Sequence, residues 1–141
     1  SDAAFADRYA AQDRYDDVFH RKVGFDGGWR VYSSGPGLAI AILLRSLFGL
    51  RLAGDGLVID PVMPKALDGV SIAFPVQGKD GRFTYALGAR GHGDVRVRLN
   101  GVELRGEPIA NPYRAAGVKI PFVSLDGILR ERDNEWRIET S

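Results

Sequence analysis

The 141-residue chain contains no cysteine, which excludes a disulfide framework and any thiolate metal site. Its two histidines, His20 and His92, stand far apart, and neither belongs to the spaced ligand pairs that a zinc site needs. No apolar run reaches the roughly 20 residues of a membrane-spanning helix, and no basic stretch leads into an apolar one, so no targeting segment is legible. A surplus of one charge is missing too. Nineteen basic against eighteen acidic residues leave a formal net charge of +1, with the signs interspersed, so neither nucleic acid nor an acidic membrane surface is an expected partner. The first residue is Ser1 rather than Met, the start expected of a processed, cleaved or truncated product.

What is present suits a folded domain: 45% of residues are hydrophobic, enough in a chain of this length to bury one core. Residues 1–28 are polar and tyrosine-rich. Phe5, Tyr9, Val18 and Phe19 are spaced as in a helix or two packed on something larger, and Gly24, Gly27 and Gly28 then break the pattern. The most informative junction follows. Tyr32-Ser33-Ser34-Gly35-Pro36-Gly37 runs straight into Leu38-Ala39-Ile40-Ala41-Ile42-Leu43-Leu44, a small polar loop opening an apolar helix. Hydroxyls and free N–H groups at a helix N-terminus face whatever sits before it, and the helix dipole favours negative charge there. The plainer alternative is an ordinary helix start, with Ser34 as N-cap and Pro36 as first helical residue.

From Leu38 to Phe48 only Arg45 and Ser46 are polar, whereas a surface helix of a small domain carries a polar face. This helix therefore requires neighbours on all sides and is expected to work inside a larger protein or against a partner. Gly49 is its expected C-cap.

From Asp55 onward the pattern has period two. Val70, Ile72, Phe74 and Val76 alternate with Ser71, Ala73, Pro75 and Gln77, and Phe83, Tyr85 and Leu87 form a partner face beyond the Gly78–Gly81 turn. Pro75 cannot donate to a ladder, which predicts an edge strand. Val95, Val97 and Leu99 lead into Asn100-Gly101, the favoured two-residue hairpin turn, and that register sets Arg98 opposite Glu103. Val118, Ile120 and Phe122, then Trp136 and Ile138, predict further short strands. The expected fold is α+β: helices followed by a small antiparallel β-sandwich of jelly-roll type.

Three stretches carry a family likeness: Gly28-Trp29-Arg30-Val31-Tyr32-Ser33-Ser34-Gly35-Pro36-Gly37, Leu47-Phe48-Gly49-Leu50-Arg51, and Asp55-Gly56-Leu57-Val58-Ile59-Asp60-Pro61-Val62-Met63-Pro64 with Leu67-Asp68-Gly69. In this order, followed by a Leu99-Asn100-Gly101 hairpin, they resemble the C-terminal portion of glycoside hydrolase family 94 and its cellobiose-phosphorylase-like relatives, the inverting glycoside phosphorylases. The resemblance implies that residues 1–54 hold the last helices and phosphate loop of an (α/α)6 catalytic barrel, and residues 55–141 a C-terminal jelly roll. It implies phosphorolysis of β-glucosides to α-glucose 1-phosphate, with inorganic phosphate as co-substrate and no other cofactor. A barrel aspartic acid serves as general acid, and phosphate takes the place of the water used by an inverting hydrolase.

The same resemblance assigns phosphate binding to Ser33, Ser34 and Gly35, where cellobiose phosphorylases typically carry a threonine. The general acid and the phosphate-binding arginine and histidine belong to earlier parts of the barrel, so no catalytic residue is assigned within this chain. The chain alone is then expected to be inactive. Expected partners are a β-glucoside or β-glucan oligosaccharide and the rest of the barrel, with a homodimer as one arrangement of the intact enzyme and the cytoplasm as its location.

Other candidates have plainer explanations. Trp29 and Tyr32 flank the loop and suit either sugar stacking or core packing. His20 lies among Asp16, Asp17, Arg21 and Lys22, a solvated helix face, and His92 sits in a glycine-rich turn. Asp13, Asp16 and Asp17 among arginines read as a salted surface. Two other readings remain open at this level: a stand-alone β-sandwich module that binds carbohydrate or protein, and a relative that transfers glucosyl units to make β-glucan.

Overall fold

The computed structural model describes residues 2–26, 34–115 and 117–141. Two compact units divide the chain, residues 1–39 and Ile40–Ser141.

In the first unit, strand β1 (Asp2–Ala3) pairs antiparallel with β2 (Phe25–Asp26). Helices α1 (Arg8–Asp13) and α2 (Asp16–Phe19) lie between them in the chain. The Asp7 carboxylate caps α1 by accepting the Tyr9 and Ala10 N–H groups, both at 2.9 Å. Neither helix has a buried residue, and Tyr9, Tyr15 and Phe19 are exposed. The segment expected to hold a helix or two thus has two short ones among the described residues.

Helix α3 (Ser34–Ile42) crosses the division between the units and continues as a π-helical turn over Leu43–Leu47. Phe48 N–H donates to the Leu43 carbonyl at 3.0 Å, the wider bond that defines such a turn. Gly49 then stops the helix in the left-handed region, φ +69°, as a C-cap glycine does.

Among the described residues nine strands follow: β3 (Leu50–Ala53), β4 (Gly56–Ile59), β5 (Ser71–Ala73), β6 (Gly81–Ala86), β7 (Val95–Leu99), β8 (Val102–Leu104), β9 (Glu107–Pro108), β10 (Val118–Pro121) and β11 (Asn134–Thr140). One sheet has the order β3-β4-β10-β9, the other β5-β6-β11-β7-β8. Leu50, Leu57, Ile59 and Ile120 of the first sheet share one buried cluster with Phe83, Tyr85, Val97, Leu99, Trp136 and Ile138 of the second, the arrangement of a β-sandwich. Phe83 and Trp136 stack at its centre, their ring centroids 4.9 Å apart.

The hairpin from β7 to β8 has the expected register, with Arg98 opposite Glu103 and Leu99 opposite Val102. Asn100 and Gly101 both take positive φ, as this tight turn demands. Strand β5, which runs toward Pro75, is an edge strand as expected.

Three features differ from the expectation. The sandwich begins at Leu50, because β3 already pairs with β4. Phe122 opens a 3₁₀ turn (Phe122–Leu125) instead of extending β10, since Pro121 has no N–H with which to continue the ladder. The larger sheet is mixed rather than antiparallel, because β11 runs parallel to β6, with Trp136 beside Phe83 and Ile138 beside Tyr85. Strand β11 arrives from the other sheet by a crossover, so no hairpin dictates its direction.

Candidate functional site

The sequence-assigned phosphate loop is only partly within the described residues. Trp29, Tyr32 and Ser33 lie outside them. The backbone of Ser34 opens helix α3. Gly35 and Gly37 in its first turn are exposed, and a Cβ built on either would meet no atom within 4 Å. Pro36 has no N–H, so the amides of Gly35 and Gly37 are donors that a first helical turn leaves free.

The body of the helix remains apolar and uncovered. Leu38, Ile40, Ile42 and Leu43 are all exposed, between 49% and 63% of their surface. Such a row of aliphatic side chains on a folded element marks a surface made for another surface.

The exit of this helix is fixed by the segment that carries the family likeness. Val62 N–H donates to the Leu47 carbonyl at 3.1 Å, and Asp60 N–H to the Gly49 carbonyl at 2.9 Å. A side chain on Gly49 would overlap the backbone of Asp60. The Tyr85 hydroxyl donates to the Phe48 carbonyl at 2.9 Å while the two rings sit 5.7 Å apart. Burial pushes the Tyr85 phenol far above its ordinary value, which keeps it a neutral donor.

Asp60 is the second fixed point. Its carboxylate accepts a bidentate pair from Arg114, Nη1 at 2.7 Å and Nη2 at 2.8 Å, and also the Gly117 N–H at 2.8 Å. The hydrogen bond to Asp60 holds the Arg114 guanidinium above its ordinary value. Bidentate pairing of this kind fixes orientation as well as distance. Met63 N–H, two residues beyond Pro61, donates to the Gly91 carbonyl at 3.0 Å, and a side chain on Gly91 would overlap the Met63 carbonyl.

The Leu67-Asp68-Gly69 motif works similarly. Asp68 accepts Lys65 Nζ at 2.8 Å and Leu87 N–H at 2.8 Å, and Lys65 also donates to the Leu87 carbonyl. The Lys65 hydrogen bond, followed by the Leu87 N–H, lowers the Asp68 carboxyl below its ordinary value despite some desolvation.

In the Leu99-Asn100-Gly101 motif, Asn100 does more than turn the chain. Its amide donates to the Ile128 carbonyl at 2.8 Å and to Asn134 Oδ1 at 3.1 Å, and its Oδ1 accepts Glu135 N–H at 3.0 Å. Asn134 is only 1% exposed and answers with bonds to the Asp80 and Arg130 carbonyls and from the Arg130 N–H. The motif residues inside the described segments are thus brackets that hold loops. Sequence reasoning missed Arg114, Gly117 and Asn134, and the one available signal was an arginine and a buried-position asparagine without another task.

His20 is exposed, its Nδ1 2.8 Å from the Asp16 carbonyl, and Asp17 pairs with Arg14 at 2.9 Å and Lys22 at 3.8 Å. His92 Nδ1 is buried without a partner among the described residues, and no group of three or more potential metal ligands occurs among them. None of their helices is long and apolar enough to cross a membrane.

A family model described as glycoside phosphorylase C-terminal domain matches residues 49–136, from the helix-ending glycine to Trp136. The chain belongs to this family. The resemblance to the C-terminal part of a glycoside phosphorylase is thereby borne out. A 1,2-beta-oligoglucan phosphorylase of Listeria innocua is 36% identical over 125 residues, covering 89% of this chain and 11% of that protein. The chain thus spans about a ninth of the length of this curated relative. In this glycoside phosphorylase C-terminal domain, the matched segment contains the whole sandwich up to β11, and helix α3 precedes it.

Proposed function

We propose that this chain is the C-terminal portion of an enzyme that phosphorolyses β-glucosides, and that helix α3 completes an (α/α)6 catalytic barrel on which the sandwich, of jelly-roll type, is docked. One observation carries the reading. A helix with exposed Leu38, Ile40, Ile42 and Leu43 enters directly into the family-matched segment, so the surface it needs belongs to the same protein. A β-linked oligoglucan is the favoured substrate class, because the relative's name specifies 1,2-beta-oligoglucan. This also favours phosphorolysis over a stand-alone binding module or transfer to another sugar.

In this reading inorganic phosphate is the co-substrate and needs no further cofactor. A phosphate oxygen attacks the anomeric carbon from the face opposite the leaving sugar. The C1–O bond breaks, and the departing oxygen takes a proton from a general acid outside this chain. Inversion gives α-glucose 1-phosphate. The hydroxyls of Ser33 and Ser34 and the Gly35 N–H line the phosphate side, with Trp29 and Tyr32 available to stack on a sugar ring. Supporting this are the open space around Gly35 and the affinity of helix N-termini for anions. The intact enzyme would act in the cytoplasm, where phosphate and sugar phosphates are available, with a homodimer as one arrangement.

The test is a Ser33→Ala/Ser34→Ala variant of the intact protein. Loss of one or two hydrogen bonds to a charged acceptor removes about 1.5–3 kcal/mol of binding. The Michaelis constant for phosphate should rise roughly tenfold to a hundredfold. An unchanged constant refutes the loop assignment.

A further inference from the structure

The outer face of the five-stranded sheet, opposite the core, carries three adjoining clefts of about 440, 380 and 330 Å³. Arg82 and Glu135 line both the first and the second; Thr84 and Arg137 line both the second and the third. Together they form one trough across β6, β11 and β7. Volumes of this order are those of small-ligand sites.

The chemistry of the trough is specific. Arg82, Arg96, Arg98 and Arg137 share this face with Glu103, Glu135 and Glu139, which alternate with core residues along the same strands, and Asp68, Asp80 and Asp133 also line the clefts. Such a face suits neither a polyanion, which needs surplus positive charge, nor an apolar protein surface. Guanidinium groups donate and carboxylates accept, and a ligand dense in hydroxyls satisfies both at once. Arg137 and Arg98 are held by Glu139, at 2.8 and 3.8 Å. Arg82 and Glu135, by contrast, are register neighbours across β6 and β11 yet form no ion pair among the described residues. Arg82 makes only a 3.3 Å contact with Ser71 Oγ. Beyond that contact, the Arg82 guanidinium and the Glu135 carboxylate have no side-chain partner among the described residues, and both line the same two clefts.

We propose that this trough binds a neutral β-glucan chain, with Arg82 and Glu135 bracketing vicinal hydroxyls of one glucose unit. The choice of glucan rests on the phosphorolysis reading above; the preference for a neutral polyhydroxylated ligand rests on the trough alone. Strand β6 provides about 20 Å of length, enough for several rings. Such a site would keep long glucan chains near the enzyme between turnovers, raising the local concentration of chain ends.

The experiment is affinity electrophoresis of the intact protein through gels containing β-1,2-glucan, with excess two-unit oligosaccharide present to occupy the catalytic site. The unaltered protein is expected to be retarded. An Arg82→Ala/Glu135→Ala variant should bind the polymer at least tenfold more weakly while keeping its kcat/KM for the short substrate. Glu135→Gln, which preserves shape, should weaken binding less but in the same direction, and serves alone if the double variant fails to fold. Equal retardation of variant and unaltered protein, no retardation of the unaltered protein, or retardation by dextran sulfate but not by glucan would each overturn the proposal. Failure of the phosphorolysis reading is separately visible, as absence of α-glucose 1-phosphate formation from any β-glucoside by an enzyme that is still retarded.

Discussion

Replacing Asn134 should be among the most damaging single changes in the sandwich. This residue is 1% exposed, and its side chain uses its full capacity: two N–H groups donate to the Asp80 and Arg130 carbonyls, and the oxygen accepts from Arg130 N–H and Asn100 Nδ2, all between 2.8 and 3.1 Å. A buried hydrogen bond contributes about 1 kcal/mol net, and each partner left unsatisfied adds a desolvation penalty. Water entering the gap left by Asn134→Ala restores part of the loss, so about 3 kcal/mol is expected. With a urea slope of about 1.5 kcal/mol/M, the unfolding midpoint should fall by about 2 M. In thermal unfolding the same loss lowers Tm by about 10 °C.

Asn134→Asp sharpens the test. The new carboxylate would face two carbonyl oxygens in a buried site, which raises its folded pKa above the unfolded value of about 3.9. A group with a raised folded pKa contributes its stability below the unfolded pKa and loses it as pH rises through the folded one. The gap in stability between the variant and the unaltered protein should therefore narrow on acidification. A drop of less than about 1 kcal/mol for the alanine variant, below the net value of even two such bonds, would refute the view that this network holds the loop to the hairpin. So would a constant gap between pH 4 and 7 for the aspartate variant.

Two further outcomes follow from the bracketing residues. Tyr85→Phe keeps the ring contact with Phe48 but removes the donor to its carbonyl at 2.9 Å, so unfolding in urea should reveal a loss of about 1–2 kcal/mol. Asp68, whose carboxyl is lowered by Lys65 and Leu87 N–H, contributes stability that is fully present above its unfolded pKa and is lost as pH falls through the lowered folded value. Asp68→Asn should accordingly flatten the decline in stability on acidification below about pH 4, measured by thermal unfolding across that range.

Much of this protein is decided locally and was therefore legible in its sequence. The Asn100-Gly101 turn fixes its own hairpin because positive φ at both positions leaves one tight geometry, and Arg98 falls opposite Glu103 as a matter of counting. Gly49 ends the helix because a left-handed residue is needed there. The unbroken apolar run of residues 38–44 called for neighbours on all sides, and in the fold Leu38, Ile40, Ile42 and Leu43 are exposed. What only the tertiary structure decided involves residues distant along the chain. The parallel insertion of β11 beside β6 joins segments more than 50 residues apart, and alternation alone assigns a strand its faces but not its neighbours or its direction. The same holds for the bracket of Asp60 with Arg114, 54 residues apart, and for the meeting of Arg82 with Glu135 across two strands. Outside a hairpin, a charged residue in a sequence carries no sign of the partner that folding brings to it, because that pairing depends on sheet order and not on spacing.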